Sequence, residues 1–163
     1  MALVFLGLGT NLGNKKLNLI RAVQMIGLEV GDIFNISSFY RSEPWGYESE
    51  NEFLNAVVLI YTQLAPLDLL EKTKEIERNF GRDEKTNTSY SDRLIDIDIL
   101  FYENQIIDLP QLKIPHKYLH KRDFVMMPLC EIAPKLIHPE LNKSIEELSE
   151  LIENKTEKLI DET

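Results

Sequence analysis

Hydrophobic positions along the chain fall into two periods, and the switches between them mark out the elements. Residues 2–8, Ala-Leu-Val-Phe-Leu-Gly-Leu, form a short apolar run that reads as a buried strand. The turn Gly9-Thr10-Asn11-Leu12-Gly13-Asn14 follows. Asn14 is placed to cap a helix running through Ile26, in which Leu19, Ala22, Val23 and Ile26 share a face, and Gly27 reads as its C-cap. A second strand is expected over residues 33–40, then a loop holding Pro44 and Gly46. Residues 53–62 alternate most clearly. Phe53, Asn55, Val57, Leu59 and Tyr61 take one face, and Leu54, Ala56, Val58 and Ile60 the other. Both faces are largely apolar, so this strand belongs in the middle of a sheet.

Pro66 stands at a first helical position, with Leu69, Leu70, Thr73, Ile76 and Phe80 at helical spacing and Gly81 closing the helix. Residues 82–92 are polar and aperiodic, a loop of the length that often serves as a functional lid. A strand over residues 94–102 should turn Ile95, Ile97, Ile99 and Phe101 one way and Asp96 and Asp98 the other. Beyond it come a stretch punctuated by Pro110 and Pro115 and a helix over residues 124–132. A last helix opens at Ser144, with Glu147 three residues on as a capping box. The polar residues after Asn154 are expected to fray. The order strand, helix, strand, strand, helix, strand and helical tail predicts an α+β fold. It is the split βαβ sandwich of ferredoxin-like proteins, with a mainly antiparallel sheet and extra C-terminal helices. The chain reads as one domain, residues 1–154, with a polar tail at 155–163. Many functions use this fold, so it selects none of them.

Composition narrows the classes. The chain has 163 residues, 44% hydrophobic and 28% charged, which suits one soluble domain with a real core. No apolar run reaches the roughly 18 residues of a membrane span, and the apolar start lacks the basic flank of a signal peptide. The lone Cys130 fits a reducing compartment, so a cytoplasmic protein is expected. A net charge of -9 argues against unspecific nucleic-acid binding. An acidic chain that handles polyphosphate needs local basic residues or carboxylate-held metal, and this chain offers both.

Asp96-Ile97-Asp98 is the sharpest chemical signal. Two residues apart on a strand, their Cα atoms lie about 6.5 Å apart on one face. Two such carboxylates repel unless a cation lies between them, and magnesium favours one or two carboxylates completed by phosphate and water. The bland alternative is a solvated sheet face. Arg82 and Arg93 bracket the polar loop and suit multidentate phosphate contact. Alternatively, Arg82 answers a helix dipole and Arg93 pairs with Asp92 or Asp96. His116, Lys117, Lys121 and Arg122 form the main basic cluster, either a phosphate site or a solvated patch. Phe53 beside Asn55 suits stacking and hydrogen bonding to a flat heterocycle, or plain core packing. The segment Gly7-Leu8-Gly9-Thr10-Asn11-Leu12-Gly13 matches no dinucleotide or P-loop pattern, and a tight strand-to-helix turn accounts for its glycines.

In order, these features carry a resemblance. The matching stretches include Gly9-Thr10-Asn11-Leu12-Gly13, Ser37-Ser38-Phe39-Tyr40-Arg41-Ser42, Phe53-Leu54-Asn55-Ala56 and Ile76-Glu77-Arg78 with Gly81-Arg82. They continue with Arg93-Leu94-Ile95-Asp96-Ile97-Asp98-Ile99-Leu100, Ile114-Pro115-His116, Arg122-Asp123-Phe124 and Ile132-Ala133-Pro134. Over most of its length the chain resembles the 6-hydroxymethyl-7,8-dihydropterin pyrophosphokinases of folate biosynthesis. The resemblance implies transfer of pyrophosphate from ATP to the pterin alcohol, with AMP released. It implies two magnesium ions on Asp96 and Asp98, which with Arg82 and Arg93 would form the catalytic set. Glu77, Arg82, Tyr90, Arg93, His116 and Arg122 would serve ATP. Phe53 and Phe124 would sandwich the pterin, Asn55 would bond its edge, and Ser42, Glu43, Trp45 and Asp96 would border it. Tyr90 stands where relatives often carry Trp, Glu84 where they often carry a basic residue, and Lys117 where a Tyr often follows the histidine. A monomer is expected, with no nucleic-acid or membrane partner. The competing reading is a non-catalytic ferredoxin-like ligand-binding module, and the RNA-binding version of it lacks its aromatic and basic features. An inactive relative would not need both aspartates and both arginines.

Overall fold

Strand β1 (Ala2–Thr10) lies inside the sheet, antiparallel to β4 (Phe53–Thr62) on one side and to β5 (Asp96–Tyr102) on the other. The computed structural model describes residues 1–45, 49–81 and 94–160. The far edge of β4 is shared: β2 (Asp32–Ile36) pairs with its later half and β3 (Tyr40–Ser42) with its start. A two-residue strand, β8 (Glu157–Lys158), pairs outside β3. A small hairpin of β6 (Ile107–Leu109) and β7 (Leu112–Ile114) stands apart from this sheet.

Helices cover both faces because both faces of β4 and β1 are apolar. Helices α1 (Lys15–Glu29) and α2 (Pro66–Asn79) bring Leu19, Ala22, Ile26, Leu69 and Ile76 onto Val4, Leu6, Ala56, Val58, Ile60, Ile97 and Ile99. Helices α3 (Asp123–Ile132) and α4 (Ile145–Ser149) close a smaller cluster around Phe5, Val57, Leu100 and Phe101. Each fully buried leucine or isoleucine is worth about 1.5–3 kcal/mol, so the larger cluster dominates stability. The capping box at Ser144 is present: its hydroxyl accepts from Glu147 N, and the Glu147 carboxylate accepts from Ser144 N.

Four expectations need correction. The strand expected over 33–40 is broken into β2 and β3, because the Ser37 hydroxyl, in place of a backbone carbonyl, accepts the Val57 N–H at 2.9 Å. The first helix does not stop at Gly27 but continues to Glu29, where Val30 N–H donates to Ile26 O. Phe101 does not share a face with Ile95, Ile97 and Ile99. The register jumps from Phe5↔Phe101 to Leu6↔Ile99, so Leu100 is an extra residue, and this bulge turns Phe101 into the smaller cluster. Residues 155–160 are docked rather than frayed: Lys155 N donates to Asp123 Oδ2, and Leu159 N donates to Phe39 O, both at 2.8 Å. They cover a sheet edge that would otherwise present unpaired backbone groups.

Candidate active site

Register builds the site before any side chain is considered. In one row across the sheet, Asp96 pairs with Gly9, Gly9 with Asn55, and Asn55 with Tyr40. In the next row, Asp98 faces Gly7, and Gly7 faces Val57. Strands lie about 4.8 Å apart, so the carboxylate column and the Asn55 column stand about 10 Å apart with a strand between them. That strand offers only glycine at both rows. The result is a trough with a backbone floor, walled by carboxylates on one side and by Phe53 and Asn55 on the other. A Cβ added at Gly9 would lie 3.4 Å from Asn55 Oδ1 and 3.6 Å from Phe53 Cδ1, so the glycine keeps the trough clear. The glycines were ascribed above to a strand-to-helix turn. Gly13, at φ +69, does sit in that turn, but Gly7 and Gly9 lie within β1.

The cleft over this floor is lined by Ser42, Glu43, Trp45, Phe53, Asn55, Asp96, Asp98, Arg122 and Phe124, with Val125 and the glycines beneath. Asn55 is buried, and its Nδ2 donates to Tyr40 O at 3.1 Å and to Ser42 Oγ at 2.8 Å. Both amide hydrogens are therefore engaged with β3, which fixes the amide with its oxygen on the Gly9 side.

Arg122 links the two ends of the cleft. Buried at the N-cap of α3, its guanidinium carbon lies 4.4 Å from the Trp45 ring centre, 5.5 Å from Tyr118 and 5.7 Å from Phe124. These are cation–π distances. Its Nη1 is 3.9 Å from Asp98 Oδ2. Tyr118 also packs on Trp45, with ring centres 5.6 Å apart. Tyr118 was missed in the sequence, although it lies between His116 and Arg122.

His116 Nε2 lies 3.8 Å from Asp98 Oδ1. Burial and the Arg122 charge push its pKa down to about 4, against the opposing pull of Asp96. The ring is therefore neutral near pH 7. Its Nδ1 accepts from Tyr118 N at 3.4 Å, which leaves the proton on Nε2, pointing toward Asp98. The Asp98–His116 contact is thus a neutral donor beside a carboxylate and not an ion pair.

Glu77 stands apart from the cleft lining. It is buried on α2, and its Oε2 accepts the Ile97 N–H at 2.9 Å. That bond caps the outer edge of β5 between the two aspartates and holds both carboxylates toward the cleft. Arg82, Tyr90 and Arg93 lie outside the described residues, as does the expected lid over 82–92. Among the described residues, no third carboxylate, His or Cys joins Asp96 and Asp98 in a metal-binding group. Two hard oxygen donors with room for further ligands suit magnesium completed by phosphate oxygens. They do not suit a closed structural zinc site. The cleft thus has an aromatic and amide end fit for a flat heterocycle and an acidic, His- and Arg-bearing end fit for metal-bound phosphate.

Comparison with known proteins identifies the family. A family model described as 7,8-dihydro-6-hydroxymethylpterin-pyrophosphokinase (HPPK) matches residues 5–134. A 2-amino-4-hydroxy-6-hydroxymethyldihydropteridine pyrophosphokinase of Porphyromonas gingivalis is 47% identical over 142 residues, covering 86% of this chain and 96% of the relative. The protein of that name from Aquifex aeolicus is 42% identical over 90% of each chain. The crystal structure of wild-type Plasmodium falciparum HPPK-DHPS superposes with a TM-score of 0.72 at 19% identity. That match covers 92% of this chain and 44% of the Plasmodium chain, so this chain spans less than half of it. The chain belongs to the 7,8-dihydro-6-hydroxymethylpterin-pyrophosphokinase family.

Proposed function

We propose that this protein transfers pyrophosphate from ATP to 6-hydroxymethyl-7,8-dihydropterin, releasing AMP, as a step of folate biosynthesis. One observation carries the reading: the glycine-floored trough that sets an aromatic and amide wall across from the Asp96–Asp98 column. A pterin ring on that floor lies between Phe53 and Phe124, with Asn55, and with Ser42, Glu43, Trp45 and Asp96, at its rim. The fixed Asn55 oxygen accepts from an N–H on the ring edge. The hydroxymethyl group then points toward the carboxylates.

The pterin hydroxyl gives up its proton, for which Asp98 is the candidate acceptor, as its oxygen attacks the β-phosphorus of ATP, and the bond from that phosphorus to the oxygen it shares with the α-phosphorus breaks, releasing AMP. Asp96 and Asp98 would hold magnesium, two ions by the family resemblance, and the metal would neutralise phosphate charge in the transition state. His116, neutral with its proton on Nε2, donates to a phosphate oxygen, and Arg122 adds its charge at the same end. Arg82 and Arg93 are assigned to the triphosphate, and Tyr90 to the nucleotide, by the family resemblance. Glu77 acts in the nucleotide site through its hold on Ile97. The strand order β5-β1-β4 with β2 and β3 outermost, and α1 and α2 on one face, supports a ferredoxin-like description to which α3 and α4 are added. Consumption of ATP fits a cytoplasmic protein.

The test is product analysis. Protein, ATP, magnesium and the pterin alcohol should yield AMP and pterin pyrophosphate, and AMP should not form when the alcohol is left out. ADP as the product, or no turnover, overturns the reading.

A further inference from the structure

Behind Asn55 lies a hydrogen-bonded cluster with no part in the chemistry assigned so far. Glu131, in the last turn of α3, uses both carboxylate oxygens. Oε1 accepts from the Tyr40 hydroxyl at 2.7 Å, Oε2 accepts from the Ser38 hydroxyl at 2.9 Å, and the Ser38 N–H donates to both at 3.1 Å. A carboxylate at a helix C-terminus meets the negative end of the dipole, so nothing in the helix favours it there. Burial pushes the carboxyl's pKa up, but the bonds from Tyr40 and Ser38 outweigh it and hold the carboxyl below its usual pKa. Lys158, on β8, adds positive charge to the same group.

What Glu131 holds is the break between β2 and β3. At Ser37 the N–H still donates to Val57 O, but the return bond goes to the hydroxyl in place of a carbonyl, so the backbone entering β3 has less strand pairing to fix it. Glu131 grips this segment on both sides of Phe39, at Ser38 and Tyr40. Tyr40 is the residue paired with Asn55, and its carbonyl accepts one Asn55 amide hydrogen. Ser42, two residues on, accepts the other. The chain of contacts thus runs from α3, through one side chain and one backbone, to the amide at the cleft. An amide that loses either acceptor can rotate, and a rotated amide offers a donor where the ligand edge needs an acceptor.

We propose that Glu131 is a positioning residue for pterin recognition, fixing Ser38 and Tyr40 so that β3 holds the Asn55 amide in its binding orientation. This rests on the reading that Asn55 contacts the pterin. A purely structural tie between α3 and the sheet predicts something different: lower stability with no preference between the two substrates.

The experiment measures KM for pterin, KM for ATP and kcat, with calorimetric binding of an unreactive pterin analogue, for Glu131→Ala, Glu131→Gln, Tyr40→Phe and Asn55→Ala. Glu131→Ala should raise the pterin KM and weaken analogue binding by about 3- to 10-fold, the worth of one or two hydrogen bonds. The ATP KM should hold. Glu131→Gln keeps an acceptor for the Tyr40 hydroxyl and should restore most of the loss. Tyr40→Phe should show a smaller shift in the same direction. Should Glu131→Ala fail to fold, Tyr40→Phe decides, and an unchanged pterin KM in that variant overturns the proposal. A folded Glu131→Ala protein with a lower melting temperature and an unchanged pterin KM also overturns it, while an Asn55→Ala effect in that case leaves the pterin reading standing. If Asn55→Ala itself leaves analogue binding intact, both the proposal and the pterin assignment fall.

Discussion

Asp96 and Asp98 were legible from two positions of spacing, because period-two alternation on a strand needs nothing beyond the backbone. Both line the cleft. Replacing either with Asn keeps the shape and removes the charge that would hold magnesium. Each variant should lose at least about 100-fold in kcat, as expected when one charge-stabilising group is removed from a charge-dominated step. The fold should persist, and circular dichroism should match the parent. Near-normal turnover in either folded variant would reject the metal assignment. Phe101, two residues beyond the aligned isoleucines, was misplaced because the bulge at Leu100 shifts the alternation, and no residue type at that point announces it. Glu77 was equally opaque: a buried glutamate on a helix shows its partner, the Ile97 N–H, only in three dimensions. Trp45 offers a direct probe. It lies over Arg122 and against Tyr118 at the cleft, and it is the chain's one tryptophan. Binding of an unreactive pterin analogue should change its emission after inner-filter correction. Calorimetric binding without any change in emission would remove Trp45 from the pterin rim.

At the scale of elements, signals carried by side-chain type were read well and signals carried by pairing were not. Pro66 opening α2, the capping box of α4 and the alternation of β4 appear where the sequence places them. The β2–β3 break depends on a serine hydroxyl substituting for a carbonyl, and the docking of β8 depends on a distant strand edge. Neither leaves a periodic trace. Gly27 is a case that can be measured. A glycine after an apolar face resembles a helix stop, yet α1 runs through it. A Cβ there would meet Ile33 Cγ1 at 3.4 Å, an ordinary contact, and Gly27 is absent from the positive-φ residues. Gly27→Ala should therefore stabilise the protein by up to about 1 kcal/mol in urea unfolding, through the lower helix propensity of glycine. Had Gly27 been the left-handed cap, the same change would destabilise, so the sign alone decides.

For the whole molecule, the order of elements and the antiparallel sheet were within reach of the sequence. The trough was not, because it arises from the register of three strands that are far apart in the chain. Register also makes its glycine floor more than an open path for a ligand. Phe5, Val57 and Phe101 crowd the sheet's second face, but at Gly7 and Gly9 that face carries no side chain. Leu100 covers the floor at Gly7, where an added Cβ would meet its side chain at 3.3 Å, so the unfinished part of the interior lies at Gly9, and on the proposed reading the substrate's flat ring completes it. Folding and recognition then draw on the same surface. A pterin analogue at about 100 times its Kd should stabilise the protein by about 2.7 kcal/mol, or about 5–10 °C in Tm for a chain of this size. Gly9→Ala should raise the melting temperature of the free protein, since a methyl fits against Asn55 and Phe53 at ordinary distances. It should also abolish the analogue's thermal shift. A protein that supplied the missing residue itself would be more stable and would have no place left for its substrate.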